Sequence, residues 1–412
     1  MAKRSTRSTA ARGGPTRRGV LKAGLAAVAA RPAVLWAAPP RPAPYRVAVI
    51  GHTGRGNYGH GLDEVWLEVP GVHVAAVADA DPQGLAAAVK RLRGPRGYLD
   101  YRRMLDEVKP DLVSICPRWL DQHCDMVVAA AERGARGIYM EKPMCRTLAE
   151  ADTMVAACEK HQVKFAIAFQ TRYSQKLPVV EELIRSGKLG QVLEYRARGK
   201  EDHRGGGEDL WVLGVHMFNL IQHFGGQPRW CFGSVEQNGR PIQKQDVQPG
   251  AEGIGPLAGD KVHVMYGLES GAVAYFDSTR NAGGRPTRFG LTIYGSQGVV
   301  QTFDTGHLPE MYFLPDSTWA PGRTKKEWLP VSSAGVGRPE PLENRALAGG
   351  NLLAVQDLIR AVEQDGLPQA SIYEARMATE MVVSVFESQR RGRPVSLPLA
   401  NRQNPLTMLD PA

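Results

Sequence analysis

The chain has 412 residues, 43% hydrophobic and 23% charged, a globular composition with length for one to three domains and a sizeable core. Its net charge of +9 points at first to an anionic partner, but residues 1–40 hold eight basic side chains and no acid, so the remainder is close to neutral. That removes the charge argument for a nucleic-acid or membrane-surface partner.

The basic segment has its own pattern. Thr16-Arg17-Arg18-Gly19-Val20-Leu21-Lys22 precedes an Ala-rich stretch from Ala23 to Ala30. This resembles a bacterial twin-arginine export signal, the alternative being a disordered basic tail. The apolar stretch is too short for a permanent membrane span. Cleavage is expected between Ala30 and Pro40, where a proline-rich linker begins. The reading implies the twin-arginine machinery as a partner and a periplasmic or otherwise exported location. Five cysteines, at 116, 124, 145, 158 and 231, form no CxxC pair, and their odd number argues against a disulfide framework. No metal site is expected.

Residues 45–50 read as a buried strand that runs into glycines at 51, 54, 56, 59 and 61. A strand, a glycine-rich turn and a helix make a dinucleotide site in a parallel sheet. Two registers are open. One is Gly51-x-Thr53-x-x-Gly56, without the middle glycine; the literal pattern lies at Gly54, Gly56 and Gly59. His52, Arg55 and Asn57 could reach the phosphates or could be plain turn residues. Residues 62–69 should then be helical. The next strand, 72–79, ends at Asp79, placed to accept from the adenosine ribose hydroxyls or else to cap the helix that follows. No arginine follows it, which favours NAD over NADP.

Helices are expected over 82–92, 101–108, 120–133 and 147–161, the last with Thr147 and Glu150 as a capping box. Strands are expected over 111–116, 136–140 and 163–170. The alternation argues for a parallel sheet with helices on both faces. Lys142 follows the strand 136–140 at the sheet's carboxyl edge, where ligands bind, and can reach a substrate hydroxyl. After a helix over 178–186 the texture changes. Strand-like runs at 192–198, 262–268, 272–278, 289–294 and 299–303 indicate a largely antiparallel sheet. Residues 305–350 read as loop-rich, and helices over 352–364 and 372–390 close the fold. The boundaries drawn are 1–40 for signal and linker, 41–165 for a Rossmann domain, 166–400 for a substrate and oligomerisation domain, and 401–412 for a tail.

These residues resemble the Gfo/Idh/MocA oxidoreductases over nearly all of 45–400. The markers are the strand–glycine turn, Val113-Ser114-Ile115-Cys116-Pro117 with His123 six residues on, Glu141-Lys142-Pro143, Ser186-Gly187-Lys188-Leu189-Gly190, Gly214-Val215-His216, Ile293-Tyr294-Gly295 and Pro394-Val395-Ser396-Leu397-Pro398-Leu399. With the export signal and Gly205-Gly206-Gly207-Glu208-Asp209-Leu210, they look like an exported subgroup. The resemblance implies an N-terminal Rossmann domain, a C-terminal α/β domain with an open sheet, and a dimer or tetramer. It implies that Gly51, Thr53, Gly54, Arg55, Gly56, Asp79, Pro117, His123, Glu141 and Lys142 hold NAD. It also implies that Lys142 and His216 act on the substrate. The family often has Asp-x-Gly-x-His here, and this chain has Val212 in place of the aspartate and Asn219 at a second acidic position. Glu208, Asp209 or His203 could supply the lost group, and Arg172 and Tyr173 could line the cleft.

The expected function is an exported, NAD-dependent oxidation of a sugar, polyol or sugar acid with the cofactor tightly held. A second reading is a glycosidase working by transient oxidation and elimination. A third is a non-catalytic carbohydrate-binding protein with a degenerate site.

Overall fold

A computed structural model describes residues 44–411, so the export-signal expectation lies outside the described residues. Six parallel strands form the first sheet: β1 (Tyr45–Ile50), β2 (Val72–Ala78), β3 (Arg96–Tyr98), β4 (Leu112–Ile115), β5 (Gly137–Met140) and β6 (Lys164–Ile167). Their order is β3-β2-β1-β4-β5-β6. Strand order reverses between β1 and β4, which opens a crevice at their carboxyl ends. The central strands are buried on both faces and read as unbroken apolar runs.

Four helices connect them: α1 (Pro82–Arg91), α2 (Tyr101–Val108), α3 (His123–Glu132) and α4 (Leu148–Lys160). Asp81, Asp100 and Thr147 cap α1, α2 and α4 through their side chains. Glu150 does not close the box onto Thr147; its carboxylate accepts from the Arg146 N–H and guanidinium instead. The helix expected over 62–69 does not form. Only a 3-10 turn, Val65–Glu68, appears, packed against the helix Ala346–Gln364.

The second sheet is mixed but mostly antiparallel. α5 (Leu177–Arg185) leads into β7 (Val192–Arg198), which pairs parallel with Val273–Thr279 and antiparallel with Gly290–Gly295. Beyond Val273–Thr279 lie Lys261–Leu268 and β8 (Pro228–Gln237). Beyond Gly290–Gly295 lie Gly298–Phe303, Glu310–Leu314, Leu329–Ser332 and Gly335–Val336, so 305–350 contains three sheet strands. Helices Val215–Gly225 and Ile372–Arg391 cover one face, where Phe218 packs edge-on to Tyr266 with ring centroids 5.5 Å apart.

The two halves are tied by Asn351 on Ala346–Gln364. Its carbonyl oxygen accepts from Tyr139 Oη at 2.8 Å and Gln170 Nε2 at 3.0 Å. The chain after 400 is packed, not a loose tail: Leu406 is buried, and Arg402 pairs with Asp152 and Glu380. Among the described residues no helix is long and apolar enough to cross a membrane.

Candidate functional site

The turn after β1 is closed on itself. His52 and Asn57 exchange backbone hydrogen bonds, and Asn57 Oδ1 accepts from the Gly54 N–H at 3.0 Å. Gly56 and Gly59 have φ of 90° and 62°. A Cβ on Gly56 would overlap the Arg118 backbone, and one on Gly59 would lie 2.5 Å from Glu141 Cγ and 2.7 Å from the Cys116 carbonyl. These glycines let the turn press onto the ends of β4 and β5.

Asp79 is turned inward and is 1% exposed. Oδ1 accepts from the Thr53 and Asp81 N–H groups, each at 3.0 Å, and Oδ2 accepts from Thr53 Oγ1 at 2.7 Å and Tyr58 Oη at 2.9 Å. A carboxylate has about four acceptor positions, and these bonds use them. The ribose contact expected of Asp79 is therefore not available in this arrangement. Tyr58 also lies across Gly51, with the Arg91 guanidinium 4.5 Å from its ring centroid.

Dinucleotide features remain. A cavity of about 190 Å3 opens at the strand-order reversal, bordered by Gly51, His52 and Asp79 on one side and by Leu99, Asp100, Tyr101, Gln122 and Met126 on the other. Its mixed apolar and polar walls suit a purine nucleoside. The N–H groups of Gly56 and Tyr58 make no protein hydrogen bond among the described residues, which makes them the turn's candidate donors to phosphate oxygens. There is no helix N-terminus to reinforce them. Arg55, expected to reach phosphate, pairs with Asp121 and stacks on Trp119. The residues present fit NAD at its adenosine end and at these two amides.

His123 is an internal clamp. Its Nε2 lies 2.7 Å from the Pro117 carbonyl and its Nδ1 3.0 Å from the Pro143 carbonyl, which fastens the loop after β4 to the loop after β5. Glu141 is fully buried. Oε1 accepts from the His60 N–H at 3.0 Å and is paired with His60 Nδ1, while Oε2 accepts from the Lys142 N–H at 2.8 Å. Burial pushes the Glu141 carboxyl up, but the hydrogen bond from His60, the neighbouring His60 ring and the Lys142 charge outweigh this and hold it below the usual carboxylate range. These bonds take up three of its about four acceptor positions, with one left on Oε2.

Lys142 reaches into the second domain. Nζ donates to the Val212 carbonyl at 2.8 Å. That carbonyl sits in a π-helical turn, Leu210–Gly214, a form common at functional sites. Val212 thus meets Lys142 through its backbone, where a side-chain carboxylate was missing. Burial lowers the Lys142 ammonium pKa; Arg204 and Arg118 add to this, and Glu141 and Glu252 oppose it. His216, on Val215–Gly225, is 5% exposed, stacks edge-on to Phe169 and leaves Nδ1 without a partner. Burial first, then the neighbouring Lys142, His60 and Lys200, pull its pKa well below the ordinary histidine value. His216 is a neutral imidazole.

The other candidates separate. Asp209 is buried against Ser278 and the Glu201 backbone, and His203 is exposed. Asn219 donates to Glu374, and Tyr173 to Asp357, so neither is free for the cleft. Arg118 instead approaches Glu252 at 3.8 Å, which brings the hairpin Gln248–Leu257 over the loop after β4. Sequence reasoning missed His60 and Tyr58; the only signal was a histidine held between two glycines.

Residues 45–169 match the family described as an oxidoreductase family with an NAD-binding Rossmann fold, and 181–397 match its C-terminal α/β domain. Levoglucosan dehydrogenase of Pseudarthrobacter phenanthrenivorans is 23% identical over 78% of this chain and 89% of its own. Myo-inositol 2-dehydrogenase of Thermotoga maritima is 22% identical over 61% of this chain and 74% of its own. A glycosyl hydrolase family 109 protein of Akkermansia muciniphila is 27% identical over 39% of this chain and 36% of its own. Among solved structures, a levoglucosan dehydrogenase complexed with NADH and levoglucosan superimposes with a TM-score of 0.69, at 20% identity, over 86% of this chain and 99% of that one.

Proposed function

The chain belongs to the Gfo/Idh/MocA oxidoreductase family, with an NAD-binding Rossmann domain, and from that premise we propose that it oxidises a hydroxyl of a sugar, polyol or sugar acid. The observation that carries this is Lys142, buried at the carboxyl edge of the parallel sheet with its ammonium made more acidic. Bound NAD supplies the hydride acceptor. Gly56 and Tyr58 would hold its phosphates through their N–H groups, and Leu99, Tyr101 and Met126 would flank its adenosine. Lys142 donates a hydrogen bond to the substrate oxygen and stabilises the charge that grows there as the proton leaves. Neutral His216, with Nδ1 unpartnered, would offer a hydrogen-bonding nitrogen without adding positive charge.

Sugar and polyol substrates are supported by the levoglucosan and myo-inositol dehydrogenases among the relatives. Export through the twin-arginine route, the periplasmic location and a homo-oligomer complete the proposal. Export rests on Arg17, Arg18 and Lys22, and fractionation of cells carrying R17K/R18K is its test. The enzymatic test is denaturation of purified protein, mass analysis of released nucleotide, and a screen of levoglucosan, myo-inositol and D-apiose for NADH formation. Bound or added NAD reduced by one of them supports the reading; no nucleotide binding and no turnover would leave a carbohydrate-binding protein.

A second reading has an observation of its own. Two relatives carry the name glycosyl hydrolase family 109. Under it a glycoside releases free sugar with no net change in NADH.

A further inference from the structure

We propose that His60 is a further catalytic residue, the group that takes the proton of the substrate hydroxyl, and that Glu141 is its positioning residue. The proposal rests on the oxidoreductase reading above.

The chain builds this pair with care for both partners. Glu141 is fully buried at the end of β5 and is kept anionic. His60 is bound to it twice, through its backbone N–H and through Nδ1. The His60 carbonyl accepts from Asn351 Nδ2 at 2.9 Å, so the helix Ala346–Gln364 fixes the backbone from the other side. Gly59 and Gly61, with φ of 62° and 81°, flank the histidine and give the backbone the path that brings it onto the carboxylate.

An acceptor carboxylate at Nδ1 makes that nitrogen the N–H donor, which leaves the lone pair on Nε2. Nε2 makes no protein hydrogen bond among the described residues, and 32% of the side chain is exposed. Glu141, to which His60 is bound, is the chain neighbour of Lys142 and accepts its N–H at 2.8 Å, which joins the pair to the lysine's loop. Of the two histidines, His216 has no carboxylate behind it and is held neutral, while His60 has an anion placed to stabilise an imidazolium. The carboxylate missing at Val212 is thus supplied from the Rossmann side.

The step balances as follows. The hydroxyl O–H bond breaks and its proton passes to His60 Nε2. The neighbouring C–H electron pair leaves with its hydrogen as hydride to the oxidised nicotinamide of the family reaction. The substrate carbon becomes a carbonyl, whose oxygen Lys142 holds.

Two readouts test this. The first needs no ligand: long-range 1H–15N spectra of 15N-histidine-labelled protein. His60 protonated on Nδ1 and bare on Nε2 is the expected result, and the opposite tautomer overturns the pair. The second uses whichever of levoglucosan, myo-inositol and D-apiose the wild type oxidises. H60Q should lose kcat by about 100-fold, with KM and NADH affinity within about threefold, and free imidazole should restore part of the activity of H60A. A kcat loss under about threefold, or a parallel loss of NADH binding, overturns the catalytic role. If H60Q fails to fold, E141Q carries the same test and should lose about tenfold in kcat with NADH binding kept. Should the wild type oxidise none of the three, the oxidoreductase reading has failed and the proton step falls with it, while the tautomer still decides the pair.

Discussion

Tyr58 Oη donates to Asp79 Oδ2 at 2.9 Å while the ring lies across Gly51. The residue that the β2 end offers to a ribose is therefore held by the turn that should cradle the phosphates. Nucleotide binding at Asp79 requires Tyr58 to let go.

Replacing Tyr58 with Phe removes one donor and frees Asp79 Oδ2. The bond is made to a buried charged group, so the variant should lose about 1–3 kcal/mol of stability in urea unfolding. NADH should bind roughly threefold tighter or more, since less of its binding energy is spent on displacing the hydroxyl. Unchanged or weaker binding by fluorescence titration would mean that Asp79 never meets the ribose.

Lys142→Met keeps the length of the side chain and removes its charge. Turnover of any alcohol substrate should fall by about 10²–10⁴-fold. NADH binding should change little, because Nζ is bonded to Val212 rather than to the nucleotide cavity. The Val212 carbonyl loses its partner, so a stability loss of about 1–3 kcal/mol accompanies the change. Equal losses in kcat and in NADH affinity would assign Lys142 to the cofactor alone.

The parallel half was legible because its strands are short, apolar and separated by helices with side-chain caps at Asp81 and Thr147. The Val65–Glu68 segment misled for a physical reason: apolar residues at 62, 65, 66 and 69 have helical spacing, yet their burial against Ala346–Gln364 is satisfied by a turn. β3 is only three residues, with Tyr98 alone buried. β8 hid because its inward positions include Pro228, Cys231 and Gly233, small residues without a strand signature. At the site, Lys142 was readable from its place after β5. The saturation of Asp79 and the joining of His60 to Glu141 were not, since both depend on how far the glycine turn folds back.

Acid should destabilise the protein through its buried neutral histidines. Burial holds His216 well below the ordinary value, and burial likewise lowers His223 to about 4 despite Glu181 at 2.7 Å. The geometry of that contact favours charge, but Glu181 is half exposed and offsets the burial only in part. In the unfolded chain both titrate near 6.5. The unfolded state then binds more protons below that pH, so stability is full above about 6.5 and falls as pH drops toward 4, by up to about 1.4 kcal/mol per pH unit per site. His216→Leu should flatten the slope in urea unfolding between pH 7 and 5; an unchanged slope would show that His216 charges freely in the folded state.

Removal of the last twelve residues should be costly. Leu406 is 1% exposed and Asn404 caps its own turn while donating to the Pro256 carbonyl at 3.0 Å. Arg402 Nη1 lies 3.3 Å from Glu380, which is fully buried, and its Nε and Nη2 bind Asp152 on α4. Burying a leucine contributes about 1.5–3 kcal/mol, and stripping the partner from a buried carboxylate costs about 3–5 kcal/mol. The Leu399 N–H still donates to Glu380 at 2.5 Å, so the smaller end of that range applies. A chain ending at Ala400 should therefore unfold about 4.5–6 kcal/mol more easily, and R402A alone should reproduce half or more of that loss. A truncated chain within 1 kcal/mol of full length in urea would show that Glu380 is protonated or solvated once Arg402 is gone.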